Sequence, residues 1–279
     1  MKKTQTELSN QFLKLHQGPD ILVLPNAWDV ASARIFEEAE FAAIGTSSAG
    51  VAFSLGHPDG QQISREEMLG VVRRIAEAVD LPVTADVEAG FGSTPEEVAD
   101  TARAVIDAGA VGMNLEDGAE DKPGFLQDLN KQKEMISAVV EAATSAGVPF
   151  VLNARTDIFL YGIGPAETRL SRTIERLNAF REAGAQSLFV PGVKDSQMIG
   201  QLVRGVAGPL NILATMGTPP VAELQQLGVA RVSVGSGPMR ATLGFLGRMA
   251  RELREQGVFK MMTEGALTYV DANRMMHKK

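Results

Sequence analysis

The chain has 279 residues, 44% of them apolar and 22% charged, the balance of an ordinary soluble globule. Its formal net charge of −7 disfavours a nucleic-acid or anionic-membrane partner, and the absence of cysteine excludes disulfides, thiolate metal ligands and cysteine nucleophiles. Residues 1–10 are polar, and no apolar run approaches the roughly 18 residues that cross a bilayer, so a cytoplasmic protein is expected.

A first helix is predicted over residues 4–16. Eight short apolar runs follow, at 21–27, 41–48, 82–88, 112–117, 150–156, 187–192, 210–215 and 231–235. Each has the length and apolarity of a strand buried on both faces. Amphipathic segments separate them. Residues 65–79 place Met68, Val71, Val72, Ile75 and Val79 at three- and four-residue spacing, one face of a helix. Residues 95–108 open on Thr94 and Pro95, a capping hydroxyl and a first-turn proline, and stop at Gly109. Asp107-Ala108-Gly109-Ala110, Glu182-Ala183-Gly184-Ala185 and Gln226-Leu227-Gly228-Val229 are similar helix-to-strand turns, each ahead of a new apolar run. Two more helices are predicted over 239–256 and 261–273, and the methionine pairs at 261–262 and 275–276 read as helix packing.

Eight strands alternating with helices imply an α/β protein, a (β/α)₈ TIM-type barrel with extra C-terminal helices. The alternative is an open doubly wound sheet, but no GxGxxG loop follows the first run. No linker or composition break divides the chain. Residues 1–279 therefore read as a single domain with an N-terminal helix and a C-terminal helical extension.

Active sites of such barrels form at the C-terminal ends of the strands. The second run ends in Thr46-Ser47-Ser48, the third in Asp86-Val87-Glu88, the fourth in Glu116-Asp117 and the fifth in Arg155-Thr156-Asp157. Asp86, Glu88 and Glu116 suit a hard cation such as Mg²⁺ or Mn²⁺, which takes oxygen ligands and, for Mg²⁺, keeps several waters. Arg155 suits a substrate carboxylate or a developing oxyanion, or else an ion pair with Asp157 or Glu116. Ser47-Ser48-Ala49-Gly50 is a small-residue turn whose backbone N–H groups suit an anion, or a tight turn with nothing bound. By itself Asp59 reads as a turn aspartate, His57 as a loop residue and Glu120-Asp121 as a solvated acidic pair.

These segments resemble the isocitrate lyase / phosphoenolpyruvate mutase superfamily, from Pro25-Asn26-Ala27-Trp28-Asp29 to Gly237-Pro238. Ser47-Ser48-Ala49 followed by Leu55-Gly56-x-x-Asp59 is similar to the family's carboxylate-binding turn and active-site aspartate. The run from Asp86-Val87-Glu88 to Gly90-Phe91-Gly92 resembles its metal strand, Asn114-Leu115-Glu116-Asp117 its IED motif, and Ala154-Arg155-Thr156-Asp157 the ART-D segment seen more in the lyases. The resemblance implies Mg²⁺ on Asp86, directly or with Glu88, Glu116 and Asp59 acting through water. It implies substrate binding by Ser47, Ser48, Ala49 and Arg155, and catalysis by Arg155, Asp59 and Glu116 through a pyruvate-type enolate. It also implies a homotetramer, a dimer of dimers in which a late helix is exchanged between neighbours.

The chain departs from the family in the loop after the fourth run. Lyases carry K-[KR]-C-G-H there and mutases K-T-N-S. Residues 118–128 have neither, and Lys122, the only basic residue in that loop, is given no catalytic role. The expected function is a Mg²⁺-dependent carbon–carbon lyase or decarboxylase acting on a small α-keto or 2-hydroxy di- or tricarboxylic acid. A phosphoenolpyruvate mutase or phosphonopyruvate hydrolase is the alternative, and a non-catalytic keto-acid binder the third reading.

Overall fold

The computed structural model describes residues 3–118 and 124–277. Glu120, Asp121 and Lys122 lie outside the described residues. Helix α1 (Gln5–Leu15) opens on a capping box in which Thr4 and Glu7 each accept the other's backbone N–H. The strands are β1 (Leu22–Leu24), β2 (Asn26–Ala27), β3 (Ile44–Thr46), β4 (Val83–Asp86), β5 (Gly112–Glu116), β6 (Val151–Arg155), β7 (Ser187–Val190), β8 (Leu210–Leu213) and β9 (Arg231–Ser233). All pair in parallel, in the order β1-β9-β8-β7-β6-β5-β4-β3-β2.

β1 and β2 are two halves of one predicted run, parted at Pro25, which has no N–H to give to a ladder. The first half pairs with β9 and the second with β3. One run thus touches both ends of the sheet and closes it into a barrel. Helices lie between the strands: α2 (Val30–Glu38), α3 (Ser48–Ser54), α4 (Arg65–Ala78), α5 (Pro95–Asp107), α6 (Leu129–Ser145), α7 (Ala166–Glu182), α8 (Ser196–Gly205) and α9 (Val221–Gln226). After the barrel come α10 (Gly237–Gln256), α11 (Lys260–Thr263) and α12 (Tyr269–Met276). No described helix is long and apolar enough to cross a membrane.

Alternation along the strands divides the core. Met113, Leu115, Leu152, Ala154, Leu188, Val190, Ile212 and Val232 face outward and pack with Val98, Ile136, Leu177, Phe180, Ile199 and Leu202 of the surrounding helices. The lower end of the barrel is closed by α1, whose Leu8 and Phe12 pack on Leu22, Leu24, Val111 and Val151. The Gln5 side chain ties the helix to the carbonyls of Ile106 and Ala110, at 2.8 and 2.9 Å.

Two local expectations differ from the structure. Residues 48–50, read as a turn, form the first turn of α3, because the Ser47 hydroxyl accepts the Gly50 N–H and caps a helix there. The single helix expected over 261–273 is broken into α11 and α12. Gly265 sits at φ +74°, outside the helical region, and Thr268 starts the new helix by accepting the Asp271 N–H. Neither α11 nor α12 fully buries a residue: Met261 and Met275 are half-buried, and Met262 and Met276 are exposed.

Candidate active site

The upper rim gathers the predicted residues, and hydrogen bonds fix their directions. Asp86, the last residue of β4, is held on both oxygens. Its Oδ1 accepts from Asn114 Nδ2 at 3.1 Å, and its Oδ2 accepts the Ser48 N–H at 3.0 Å and the Ser48 hydroxyl at 2.8 Å. Within the predicted anion-binding turn, Ser47 caps α3, Ser48 faces Asp86, and Ala49 is buried in the first turn.

Glu88 stands two residues on, in the left-handed region at φ +53°. Its Oε2 accepts the Gln61 N–H at 2.7 Å, and Gln61 Oε1 accepts the Phe91 N–H at 2.9 Å. Gln61 and Phe91 are also left-handed, at φ +54° and +52°. Three non-glycine residues in a costly conformation, joined to one another, mark strain held in place by the surrounding fold. Burial raises the Glu88 carboxyl to about 7, with Asp86 and Asp59 adding to the rise and the Gln61 N–H and Arg155 opposing it. Asp59 sits in an exposed loop, yet partial desolvation and the Asp86 charge both push its carboxyl above the ordinary aspartate value.

Arg155, ending β6, is gripped from two sides. Its Nη1 lies 2.5 Å from Glu116 Oε2, while Nε and Nη2 reach the two oxygens of Asp157 at 2.7 and 3.1 Å. The guanidinium stacks over the Phe189 ring, 5.8 Å from its centroid. Burial disfavours the Arg155 cation, but Glu116 and Asp157 outweigh it and raise its pKa. Glu116 is the softer partner: burial lifts its carboxyl well above the usual range, Arg155 opposes this, and Asp157, Asp86 and Glu88 reinforce it. Both partners of a 2.5 Å pair are thus raised, and the arginine is the fixed charge.

A further layer supports this pair. Asp117 Oδ1 accepts the Asp157 N–H at 3.0 Å, and its Oδ2 accepts from Arg176 Nε at 2.8 Å. Arg176 also donates to the Gln127 carbonyl at 2.9 Å. Burial raises the Asp117 carboxyl, and Arg176 opposes that rise. Beside these groups opens a cavity of about 790 Å³, bordered by Gln61, Glu88, Phe91, Glu116, Asp157 and Tyr161.

The sequence reading assigned no role to Gln61, Asn114, Asp117 or Arg176, and gave Asp157 only as an ion-pair partner. Asn114 stands two residues before Glu116 and Asp117 one after it, so their signal was adjacency. Gln61 had none, since a left-handed glutamine is not legible from residue type. The donor set suits a hard divalent cation. Asp59 and Asp86 both repel Glu88, Asp86 and Glu88 both repel Glu116, and Arg155 opposes these rises at Glu88 and Glu116. Among the described residues no three acidic or imidazole groups form a ready-made cage. That is compatible with Mg²⁺, which needs one or two direct carboxylates.

Comparisons with known proteins agree with this geometry. A family profile described as phosphoenolpyruvate phosphomutase matches residues 12–254. The 2-methylisocitrate lyase of Bacillus subtilis is 31% identical over 268 residues, covering 92% of this chain and 85% of that one. Among solved structures, a Burkholderia cenocepacia protein provisionally classed as a lyase/mutase superimposes with a TM-score of 0.90 at 40% identity, covering 97% of this chain and 95% of that one. An oxaloacetate acetylhydrolase bound to 3,3-difluorooxalacetate superimposes with a TM-score of 0.87 at 25% identity, covering 98% and 94%. With its barrel closed, its rim carboxylates and arginine gathered, and these matches spanning most of its length, the chain belongs to the isocitrate lyase / phosphoenolpyruvate mutase superfamily.

Proposed function

We propose that this protein is a divalent-metal-dependent carbon–carbon lyase or decarboxylase that acts on a small α-keto or 2-hydroxy di- or tricarboxylic acid. The observation that carries the reading is the gathering of the carboxylates of Asp59, Asp86, Glu88 and Glu116 beside Arg155, with a cavity of about 790 Å³ alongside. Similarity to 2-methylisocitrate lyase over 92% of the chain supports it.

Asp86 would be the primary holder of Mg²⁺ or Mn²⁺, with Glu88, Glu116 and Asp59 acting through water. When bound, the ion would supply Lewis-acid stabilisation to substrate oxygens as they gain charge. The remaining work belongs to the chain. Arg155, held in one orientation by Glu116 and Asp157, donates N–H groups to the same substrate oxygens. Ser47 and the backbone at Ala49 bind the substrate carboxylate, while Ser48, whose N–H and hydroxyl are given to Asp86, fixes the turn against the metal residue. With a 2-hydroxy acid, Asp59 takes the hydroxyl proton. The bond between the hydroxyl carbon and its neighbour then breaks, and the electron pair passes into the enolate of the departing acid. Water returns the proton, since no cysteine exists to do so. The chain assembles as a homotetramer through its C-terminal helices.

Turnover with Mg²⁺ tests the reading, following pyruvate release from oxaloacetate, 2-methylisocitrate and phosphonopyruvate and glyoxylate release from isocitrate. Release from a carboxylic acid, abolished by Asp86→Ala with the fold intact, is expected. Release from phosphonopyruvate alone moves the protein to phosphonate chemistry. Tight keto-acid binding without turnover makes it a binding protein. Full turnover by Asp86→Ala in the presence of a chelator removes the metal from the scheme.

A further inference from the structure

The lower half of the barrel interior carries polar side chains that the rim chemistry does not use. Strand alternation sends Leu152, Leu188 and Val232 out to the helices and leaves Thr84, Asn153, Ser187, Asn211, Arg231 and Ser233 inside, all buried. Asn211 and Ser233 satisfy each other, at 3.2 and 3.3 Å. The others do not. Arg231 Nε and Nη1, Asn153 Oδ1, Thr84 Oγ1 and Ser187 Oγ have no protein partner, and neither has Nε2 of His16.

These atoms share one region. Asn153 is the register partner of Ser187, and Arg231 that of Asn211 and Leu22. A Cβ on Gly112 would lie 3.1 Å from both Thr84 Oγ1 and the Phe12 ring. Phe12 in turn stands edge-on to His16, with ring centroids 4.7 Å apart, and His16 feels the Arg231 charge. Arg231 is 1% exposed, and the acidic group acting on it is Asp86, higher in the barrel.

The chemistry of the atoms selects what lies between them. His16 Nδ1 is 2.8 Å from the Phe12 carbonyl, which only accepts, so Nδ1 carries the proton and Nε2 presents a lone pair. The set therefore comprises two guanidinium N–H donors, two bare acceptors (His16 Nε2 and Asn153 Oδ1) and two hydroxyls. An anion would face both lone pairs, and an apolar molecule would satisfy none of the six. Water, which donates and accepts, answers all of them.

We infer that ordered water in the barrel core joins Arg231, His16 and Asn153, and that Arg231 is thereby a positioning residue for Asp86. The column continues upward by direct bonds: Asn153 Nδ2 donates to Asn114 Oδ1 at 2.8 Å, and Asn114 Nδ2 donates to Asp86 Oδ1 at 3.1 Å. Each asparagine accepts from below and donates above. The Asp86 carboxylate, which only accepts, sets this direction from above, and Arg231 supports it from below, where it has N–H groups to give and the water passes one on to Asn153 Oδ1. Without that donor, Asn153 Oδ1 is left unpaired in the core and the column that holds Asn114 against Asp86 loses its lower anchor. The inference rests on the reading of Asp86 as the metal residue.

High-resolution crystals of the metal-free protein, together with Mn²⁺ titration followed by electron paramagnetic resonance, test it. Ordered water bridging Arg231, His16 and Asn153 is expected. Arg231→Met is expected to weaken Mn²⁺ binding about tenfold or more, the size of other supporting-residue losses at metal sites, without lowering the thermal midpoint. Asn153→Ala should weaken binding similarly, and the double variant should lose little more, because both cut one column. Arg231→Lys, which keeps a donor, should bind Mn²⁺ within about threefold of wild type. Unchanged affinity in both Arg231→Met and Asn153→Ala overturns the positioning role. Direct contacts with no water between them, or bromide at the site in crystals grown with it, overturn the water. If wild-type protein binds no Mn²⁺, the metal reading of the rim fails, and the density between Arg231, His16 and Asn153 decides the water column by itself.

Discussion

Arg155 is the residue on which the rim geometry depends most, because its planar fork meets three carboxylate oxygens at once. A lysine in its place is a point charge, unable to hold Asp157 on two oxygens and Glu116 on a third. Arg155→Lys should therefore lower kcat by roughly 10²-fold, the usual cost of one oxyanion donor, while the circular dichroism spectrum stays native. Turnover equal to wild type would reduce Arg155 to an ion-pair residue. His16 supports a separate expectation at the same scale. Burial first, and then the Arg231 charge, depress its pKa from 6.5 to about 4. Between those values the unfolded chain takes up a proton that the folded chain refuses. The stabilisation is complete above pH 6.5 and is lost as the pH falls toward 4. From the size of the shift, wild type should lose roughly 3 kcal/mol more stability than His16→Gln between pH 7 and pH 4. Urea unfolding at the two pH values reads the difference, and a pH-independent difference rules the effect out.

At the scale of elements, the strands and most helices were legible in the sequence because their signals are local. Pro95 after Thr94 begins α5 as expected, and continuous apolar runs mark β4 to β8. The turn after Ser47 was misread because small residues suit both a turn and a capped helix, and the Gly50 N–H decides between them. The break at Gly265 is not legible because an isolated glycine is tolerated inside a helical pattern, and its left-handed φ of +74° shows only in the structure. The rim carboxylates were legible as strand ends. Their supports were not, since the Gln61–Glu88–Phe91 lock joins two loops through backbone N–H groups that residue type does not encode. Gly90 makes that lock testable. It sits at φ +96°, and a Cβ there would stand 3.0 Å from Val98 Cγ1 and 3.1 Å from Leu115 Cδ1. Gly56, at φ +85°, has open space around its Cβ direction. Both alanine variants incur backbone strain of about 1 kcal/mol, and Gly90→Ala should cost 1–3 kcal/mol more, because packed side chains must also yield. Equal losses in thermal unfolding would mean that the loop around Glu88 absorbs the added methyl.

For the whole molecule, the C-terminal helices are the part that the barrel leaves unexplained. Within the 20 residues of α10 only Met239 is buried, and α11 and α12 bury none. Leu246, Leu253, Phe259, Leu267, Tyr269 and Val270 are exposed, with Tyr269 at 86% and Val270 at 73%. Scattered surface apolar residues are ordinary, but so many on consecutive helices form a face that water disfavours. The link from α12 back to the barrel includes a long ion pair, Arg274 to Glu38 at 3.8 Å, a weak surface contact. In the proposed assembly these helices would gain burial by seating on a second copy, with reciprocal exchange covering each partner's face. If two such dimers pair as proposed, sedimentation equilibrium should give four times the 29.8 kDa chain mass. The double variant Phe259→Asp, Leu267→Asp should shift toward smaller species, because each buried carboxylate would need a partner that the apolar face lacks. The barrel core lies elsewhere, so the variant should keep its circular dichroism spectrum. A wild-type protein that sediments as a monomer would leave this face in solvent and remove the assembly from the description of the molecule.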